Sequence, residues 1–337
     1  MTPIIGLMPG DMTGIGPEIT AKVLASGALR DTARLVVVGD ARVLALGQRD
    51  AGTDLPVRHY KRVRDIDWND AAVPLIDLGN TDPDTLPRGQ VSPASGKLTG
   101  DTLKTMIDMA LAGELDAVSF APLNKGALHK GGWHYHDEHQ MFAALTHHQG
   151  FFGEMNVTPQ FSTFRVTSHV SLREALDLIT PTRITDAVHL ADRTLRAMGV
   201  ERPHIGVAAL NPHGGEGGLF GREEIEFITP TIEGLKAEGM VLTGPVPADT
   251  IFVRALAGEF DGVVTMYHDQ GQVATKLLAF NKGVTVTAGL PTVFTTPAHG
   301  TAFDIVGKGQ ADPGALTQAL RIGARLAASR LERRNAA

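Results

Sequence analysis

His204-Ile205-Gly206-Val207-Ala208-Ala209-Leu210 runs straight into Asn211-Pro212-His213-Gly214-Gly215-Glu216-Gly217-Gly218-Leu219-Phe220-Gly221-Arg222. A short apolar run bounded by turn residues reads as a buried strand. Pro212 withholds a backbone donor, and the glycines permit a tight loop that can approach a ligand closely. His213 therefore stands at the carboxyl end of a strand, which is where ligands bind in open α/β sheets. Similar strand-like runs occupy residues 4–8, 35–40, 117–121, 262–267 and 283–288, and residues 161–167 also have strand character. Helical spacing of apolar residues covers 17–26, 41–49, 95–111 and 313–334 between them. The alternation predicts an α/β fold with mostly parallel sheets covered by helices on both faces. Residues 50–88, rich in Pro and charge, read as an irregular surface excursion.

A chain of 337 residues is long for one core and is most simply two domains. A hydrophobic fraction of 43% and a charged fraction of 20% suit a soluble globular protein and exclude a disordered or fibrous chain. With no Cys there are no disulfides and no thiolate metal ligands, so a transition-metal site must use His and carboxylates. The start of the chain lacks the form of a signal peptide and no run is long enough to span a bilayer, so a cytoplasmic protein without a membrane partner is expected. A net charge of -6 with dispersed basic residues argues against a nucleic-acid partner.

Two further strand-like runs end in histidine. Residues 161–167 lead into Ser168-His169, and residues 262–267 lead into His268-Asp269-Gln270. Parallel strands share one carboxyl side, so His169, His213 and His268 are candidate ligands of one divalent metal, with two of them free to come from different subunits. The bland alternative is three hydrogen-bonded loop histidines. The turn Pro9-Gly10-Asp11-Met12-Thr13-Gly14-Ile15-Gly16-Pro17 reads equally as a phosphate-binding loop or as a structural strand-to-helix turn. The cluster from Gly131 to Phe142, with His134, His136, His139 and Glu138, is a metal or substrate lip, or a solvated helix start. Lys276 stands two helical turns beyond His268, as an anion partner, a proton carrier or a plain surface lysine. His299-Gly300-Thr301-Ala302-Phe303-Asp304 combines small residues with one His and one Asp, as a nucleotide pocket needs.

Taken together, Pro9-Gly10-Asp11, Gly14-Ile15-Gly16-Pro17-Glu18, Ala121-Pro122-Leu123-Asn124-Lys125, Leu210-Asn211-Pro212-His213, Gly215-Glu216-Gly217-Gly218, Pro247-Ala248-Asp249-Thr250 and Met266-Tyr267-His268-Asp269-Gln270-Gly271 resemble the 4-hydroxythreonine-4-phosphate dehydrogenase family of the vitamin B6 pathway. The resemblance spans nearly the whole chain. The loop from His299 also resembles the adenine-side loop of isocitrate and isopropylmalate dehydrogenases. The resemblance implies their two-domain fold, with residues 1–125 and 285–337 forming the cofactor-side domain and 126–284 the metal and dimerisation domain. It implies a homodimer whose active sites, in the interdomain cleft, take residues from both subunits.

By the same resemblance, His169, His213 and His268 are the metal ligands, and Lys276 and Asp249 are catalytic, Lys276 also touching substrate. His299, Gly300, Thr301, Ala302 and Asp304 are then cofactor contacts. The implied reaction is metal-assisted oxidation of a secondary alcohol of a hydroxy acid by NAD or NADP, followed by decarboxylation of the beta-keto acid, with Zn, Mn, Mg or Co as the metal. The substrate positions depart from the family pattern. Glu138 and His139 stand where the family has His and Thr, Thr285 where it has Asn, and Phe294 where it has Arg. A carboxylate gained and a guanidinium lost disfavour a highly anionic substrate. The expected substrate is therefore a divergent one: another sugar-acid phosphate, a non-phosphorylated polyol acid, or an aromatic cis-dihydrodiol acid. The rivals of other classes are a metal- or nucleotide-binding homologue without catalysis and a metal-dependent hydrolase.

Overall fold

The computed structural model describes residues 2–279 and 283–336, and the other positions of the domain ranges given above lie outside the described residues. In chain order the strands are β1 (Ile4–Met8), β2 (Arg34–Gly39), β3 (Val57–Tyr60), β4 (Val73–Asp77), β5 (Ala117–Phe120), β6 (Gly153–Val157), β7 (Ser162–Arg165), β8 (His204–Ala208), β9 (Val241–Val246), β10 (Gly262–Thr265), β11 (Val284–Ala288) and β12 (Val293–Pro297). The α-helices are α1 (Gly16–Ser26), α2 (Ala41–Ala51), α3 (Pro93–Leu111), α4 (Lys125–Lys130), α5 (Glu138–Leu145), α6 (Leu172–Leu178), α7 (Pro181–Ala197), α8 (Thr229–Ala237), α9 (Ala248–Leu256), α10 (His268–Ala279) and α11 (Gly314–Ala336). By contact the chain forms two compact units, Met1–His148 with Leu290–Ala337, and Gln149–Gly289.

Unit 1 orders its strands β3-β4-β2-β1-β5-β12, and every neighbouring pair is parallel. Strands buried on both faces must be apolar throughout, and Val36, Val37 and Val38 are fully buried on β2. α1 and α11 cover one face by packing Ile19, Leu316 and Leu320 against Ile5 and Leu7. The stretch expected as an irregular excursion instead contributes β3 and β4. These strands are short; β3, at the sheet edge, carries an exposed Arg58 and His59, and Pro74 lies at the start of β4, ahead of the residues Leu75 to Asp77 that pair with β2.

The N-terminal turn is filled by the protein's own groups. Asp11, 1% exposed, accepts hydrogen bonds from the Thr13 N–H and the Thr13 and Ser95 hydroxyls. A Cβ on Gly16 would stand 2.0 Å from the Pro9 carbonyl oxygen, so only glycine fits where α1 leaves the turn. That arrangement supports the structural reading of the turn.

Unit 2 orders its strands β11-β6-β7-β10-β8-β9. β7, β10, β8 and β9 run parallel, while β6 is antiparallel to both β7 and β11. Its core gathers Phe161, Ala208, Ile251, Phe252, Phe260 and Val263. β7, β10 and β8 are therefore neighbours with their carboxyl ends on one side, which is the arrangement required to bring strand-end histidines together. Among the described residues no helix is long and apolar enough to cross a membrane.

Candidate active site

The three histidines leave these neighbouring strands by different turns. His169 follows β7 with φ 52°, and His213 follows β8 with φ 53°, both in the left-handed region that non-glycine residues avoid. At His213 the left-handed backbone continues through Gly214, Gly215, Glu216 and Gly217, which explains the glycines of the loop. Such strain persists where the surroundings enforce it, and its concentration at two candidate ligands points to function. Buried Glu224 is part of that enforcement, accepting the Leu210 N–H at 2.9 Å and the Asn211 N–H at 2.8 Å. The Glu223 carboxyl is held below its ordinary range by its own backbone N–H and by the Asn211 side-chain amide. His268 begins α10. Gln270 ties its strand to β8, accepting from the Met266 N–H and donating to the Ala209 carbonyl, each at 2.7 Å.

The rings of His169 and His268 lie 5.3 Å apart between centroids. With Glu154 they place one ligand atom each within 4.8 Å of one another. His213 is exposed and is not part of that group. His268 Nδ1 lies 2.7 Å from Asp269 Oδ1, a pairing that makes Nδ1 the donor and leaves Nε2 as the nitrogen able to bind an ion. A cleft of about 190 Å³ beside them is lined by Thr167, Ser168, His169, Tyr267, His268 and Asp269 among others. Two imidazoles and a carboxylate so close together suit a divalent ion.

Glu154 was not among the residues picked from sequence. It belongs to a buried polar network that includes Arg165, whose side chain is 1% exposed against 8% for Glu154. Arg165 Nη1 donates to Glu154 Oε2 at 2.6 Å, and its Nη2 donates to Asn156 and Gln272. Asn156 in turn donates to Thr285 Oγ1 at 3.1 Å. The available sequence signal was a Glu, an Asn and an Arg inside strands that are otherwise buried. Thr285 is thus engaged with Asn156. Lys276 and Asp249 are exposed on α10 and α9. Lys276 lies eight residues, about 12 Å of helix rise, from His268.

In unit 1, Glu138 opens α5, whose first turn is capped by Asp137 accepting from the Gln140 N–H. Its carboxylate pairs with Lys125 at 3.0 Å, while His139 is 5% exposed. Phe294, 1% exposed, stacks on Phe142 at 4.2 Å between centroids and is core packing. The loop after β12 is anchored on one side, the Ile15 N–H donating to the Thr301 carbonyl at 3.1 Å. Its other side is open, since a Cβ on Gly300 would meet nothing within 4 Å. Ala302 is left-handed with φ 43°, His299 is half-buried and Asp304 is exposed.

The profile of the family described as pyridoxal phosphate biosynthetic protein PdxA matches residues 31–323. The chain belongs to the PdxA family. A D-threonate 4-phosphate dehydrogenase of Cupriavidus necator is 41% identical over 329 residues, covering 97% of this chain and 98% of that one. Among solved structures, a 4-hydroxythreonine-4-phosphate dehydrogenase from Burkholderia phymatum is 40% identical with a TM-score of 0.80, covering 97% and 98% of the two chains. A terephthalate 1,2-cis-dihydrodiol dehydrogenase from Burkholderia xenovorans is 28% identical with a TM-score of 0.68, covering 96% and 98%. These PdxA-like proteins are dehydrogenases by name, and the kinship supports an oxidoreductase.

Proposed function

We propose that the chain is an NAD- and divalent-metal-dependent dehydrogenase that oxidises a secondary alcohol of a phosphorylated sugar acid and releases carbon dioxide from the beta-keto acid formed. The observation that carries the reading is the delivery of His169, His268 and His213 by three neighbouring parallel strands, with Glu154, His169 and His268 already within ligand reach of each other. When bound, a divalent ion supplies polarisation of the substrate oxygen and NAD (NADP is also admitted) accepts the hydride. The chain's own part is to hold the imidazoles in position, Asp269 setting the His268 tautomer, and to present the open face of residues 299–304 to the nucleotide. Lys276 and Asp249 are proposed to handle protons and the acid's charge.

The substrate class follows from two observations. Glu138 is paired with Lys125, so it brings no uncompensated negative charge, and this offsets the reason for disfavouring an anionic substrate. A relative 41% identical is named for a sugar-acid phosphate. A cis-dihydrodiol acid is the second reading, placed behind by the lower identity of the protein named for it, 28%. The test is NADH formation by purified protein with metal and a panel of D-threonate 4-phosphate, 4-phosphohydroxy-threonine, a non-phosphorylated polyol acid and a cis-dihydrodiol acid. The first compound should give the highest kcat/KM. A preference for a non-phosphorylated acid would overturn the substrate assignment.

A homodimer with shared sites, in the cytoplasm, completes the proposal. Among the described residues, the exposed large apolar side chains, apart from Val91 and Leu111, lie in unit 2, among them Leu219 at 72%, Val253 at 67% and Leu277 at 81%. Val273, Leu277 and Leu278 crowd exposed apolar surface onto one helix, α10, as an association surface does. Leu277 and Val273 flank Lys276 on α10, so covering this face would carry Lys276 into an interface. Leu277→Asp is expected to turn the dimer into a monomer by light scattering and to abolish NADH formation. A Leu277→Asp protein that remains dimeric would remove α10 from the interface.

A further inference from the structure

We propose that Glu154 is an oxygen ligand of the metal site, held in place by Arg165, so that one chain offers the ion two imidazoles and a carboxylate. The inference rests on the metal reading of His169 and His268 given above.

Its origin is the sheet register. β6 runs antiparallel to β7, with Asn156 opposite Thr163 and Val157 opposite Ser162. The amino end of β6 therefore lies beside the carboxyl end of β7, and Glu154 arrives at the edge that releases His169. A carboxylate with 8% of its side chain exposed needs compensation. Arg165 gives part of it through Oε2, and Asn156 Nδ2 donates to Oε1 at 3.0 Å.

The decisive spacing is between Glu154 Oε2 and His169 Nε2, 3.7 Å. That is longer than a hydrogen bond. Two ligand atoms bound at about 2.1 Å to a tetrahedral ion stand about 3.4 Å apart, so the observed gap matches two groups flanking an ion more closely than two groups bonded to each other. His268 closes the group with its ligand nitrogen left available by Asp269. His213 lies outside the group, so among the described residues Glu154 is the third donor that the chain itself brings within reach. An oxygen donor among imidazoles also moves preference toward harder ions such as Mn²⁺.

The test is calorimetric titration of the metal-free full-length protein with Mn²⁺ alone and with Zn²⁺ alone, each supported by melting curves with and without the ion. The variants are Glu154→Gln, His169→Ala and the double substitution Glu154→Met with Arg165→Met, which removes both charges and keeps the core filled. Glu154→Gln and the double variant should each weaken Mn²⁺ by at least about tenfold and Zn²⁺ by less, with His169→Ala weaker still for both ions. If Glu154→Gln fails to fold, the double variant decides. Parent-like binding by the Glu154 variants, with binding lost in His169→Ala, would overturn the inference and leave the histidine reading standing. Parent-like binding by His169→Ala as well would overturn both.

Discussion

His268→Ala is expected to lower kcat/KM for hydroxy-acid oxidation by at least ~10³-fold, equivalent to about 4 kcal/mol of transition-state stabilisation. The size follows from the part assigned to the imidazole: removing one ligand of a group that polarises the reacting oxygen removes several kcal/mol where charge develops. The fold should be indifferent to the change. His268 is the first residue of α10 and its side chain is 32% exposed, so the melting free energy should stay within about 0.5 kcal/mol of the parent. Asp269→Asn should cost less, about 10- to 100-fold, because Asp269 acts through His268. Steady-state kinetics beside a urea titration separates the two effects. Parent-like kcat/KM in His268→Ala would remove this histidine from the chemistry.

Arg165→Met should produce the largest loss of stability, about 3–5 kcal/mol, because it leaves the buried Glu154 carboxylate without its cation. The loss would spread, since Arg165 also donates to Asn156 and Gln272, and Asn156 reaches Thr285. Replacing Glu154 with Met at the same time should recover most of the loss, because a buried pair exchanged for apolar groups of similar volume is often neutral. The shift in urea midpoint reads both changes. An Arg165→Met protein as stable as the parent would mean that Glu154 finds its compensation elsewhere.

Sequence made the parallel part of the fold legible because doubly buried strands must be apolar throughout. β1, β2, β5, β8 and β10 are such runs, or nearly so, while β7 (Ser162-Thr163-Phe164-Arg165) is mostly polar and reads as a strand from its β-forming residues, and each histidine could be assigned to a strand end from them. β3 and β4 escaped notice since Arg58, His59 and Pro74 carry the marks of a loop; β3 tolerates them as the edge strand, and β4 because Pro74 precedes its pairing with β2. β6 escaped for another reason. Glu154 and Asn156 break its apolar pattern, and their burial makes sense only once Arg165 is seen across the register. Polar partners brought together by strand pairing leave no periodicity in sequence. Phe294 shows the opposite limit: a departure at a substrate position turns out to be spent on an aromatic stack with Phe142.

The central claim is metal-dependent hydride transfer to NAD, and its most direct test is one absorbance trace of NADH. Purified protein is given D-threonate 4-phosphate and NAD, then excess chelator, then Mn²⁺ or Zn²⁺ beyond the chelator. The account predicts NADH formation that stops on chelation and resumes on metal addition. Formation that continues unchanged through the chelator, or none with any acid of the panel in the presence of metal and NAD, would contradict it.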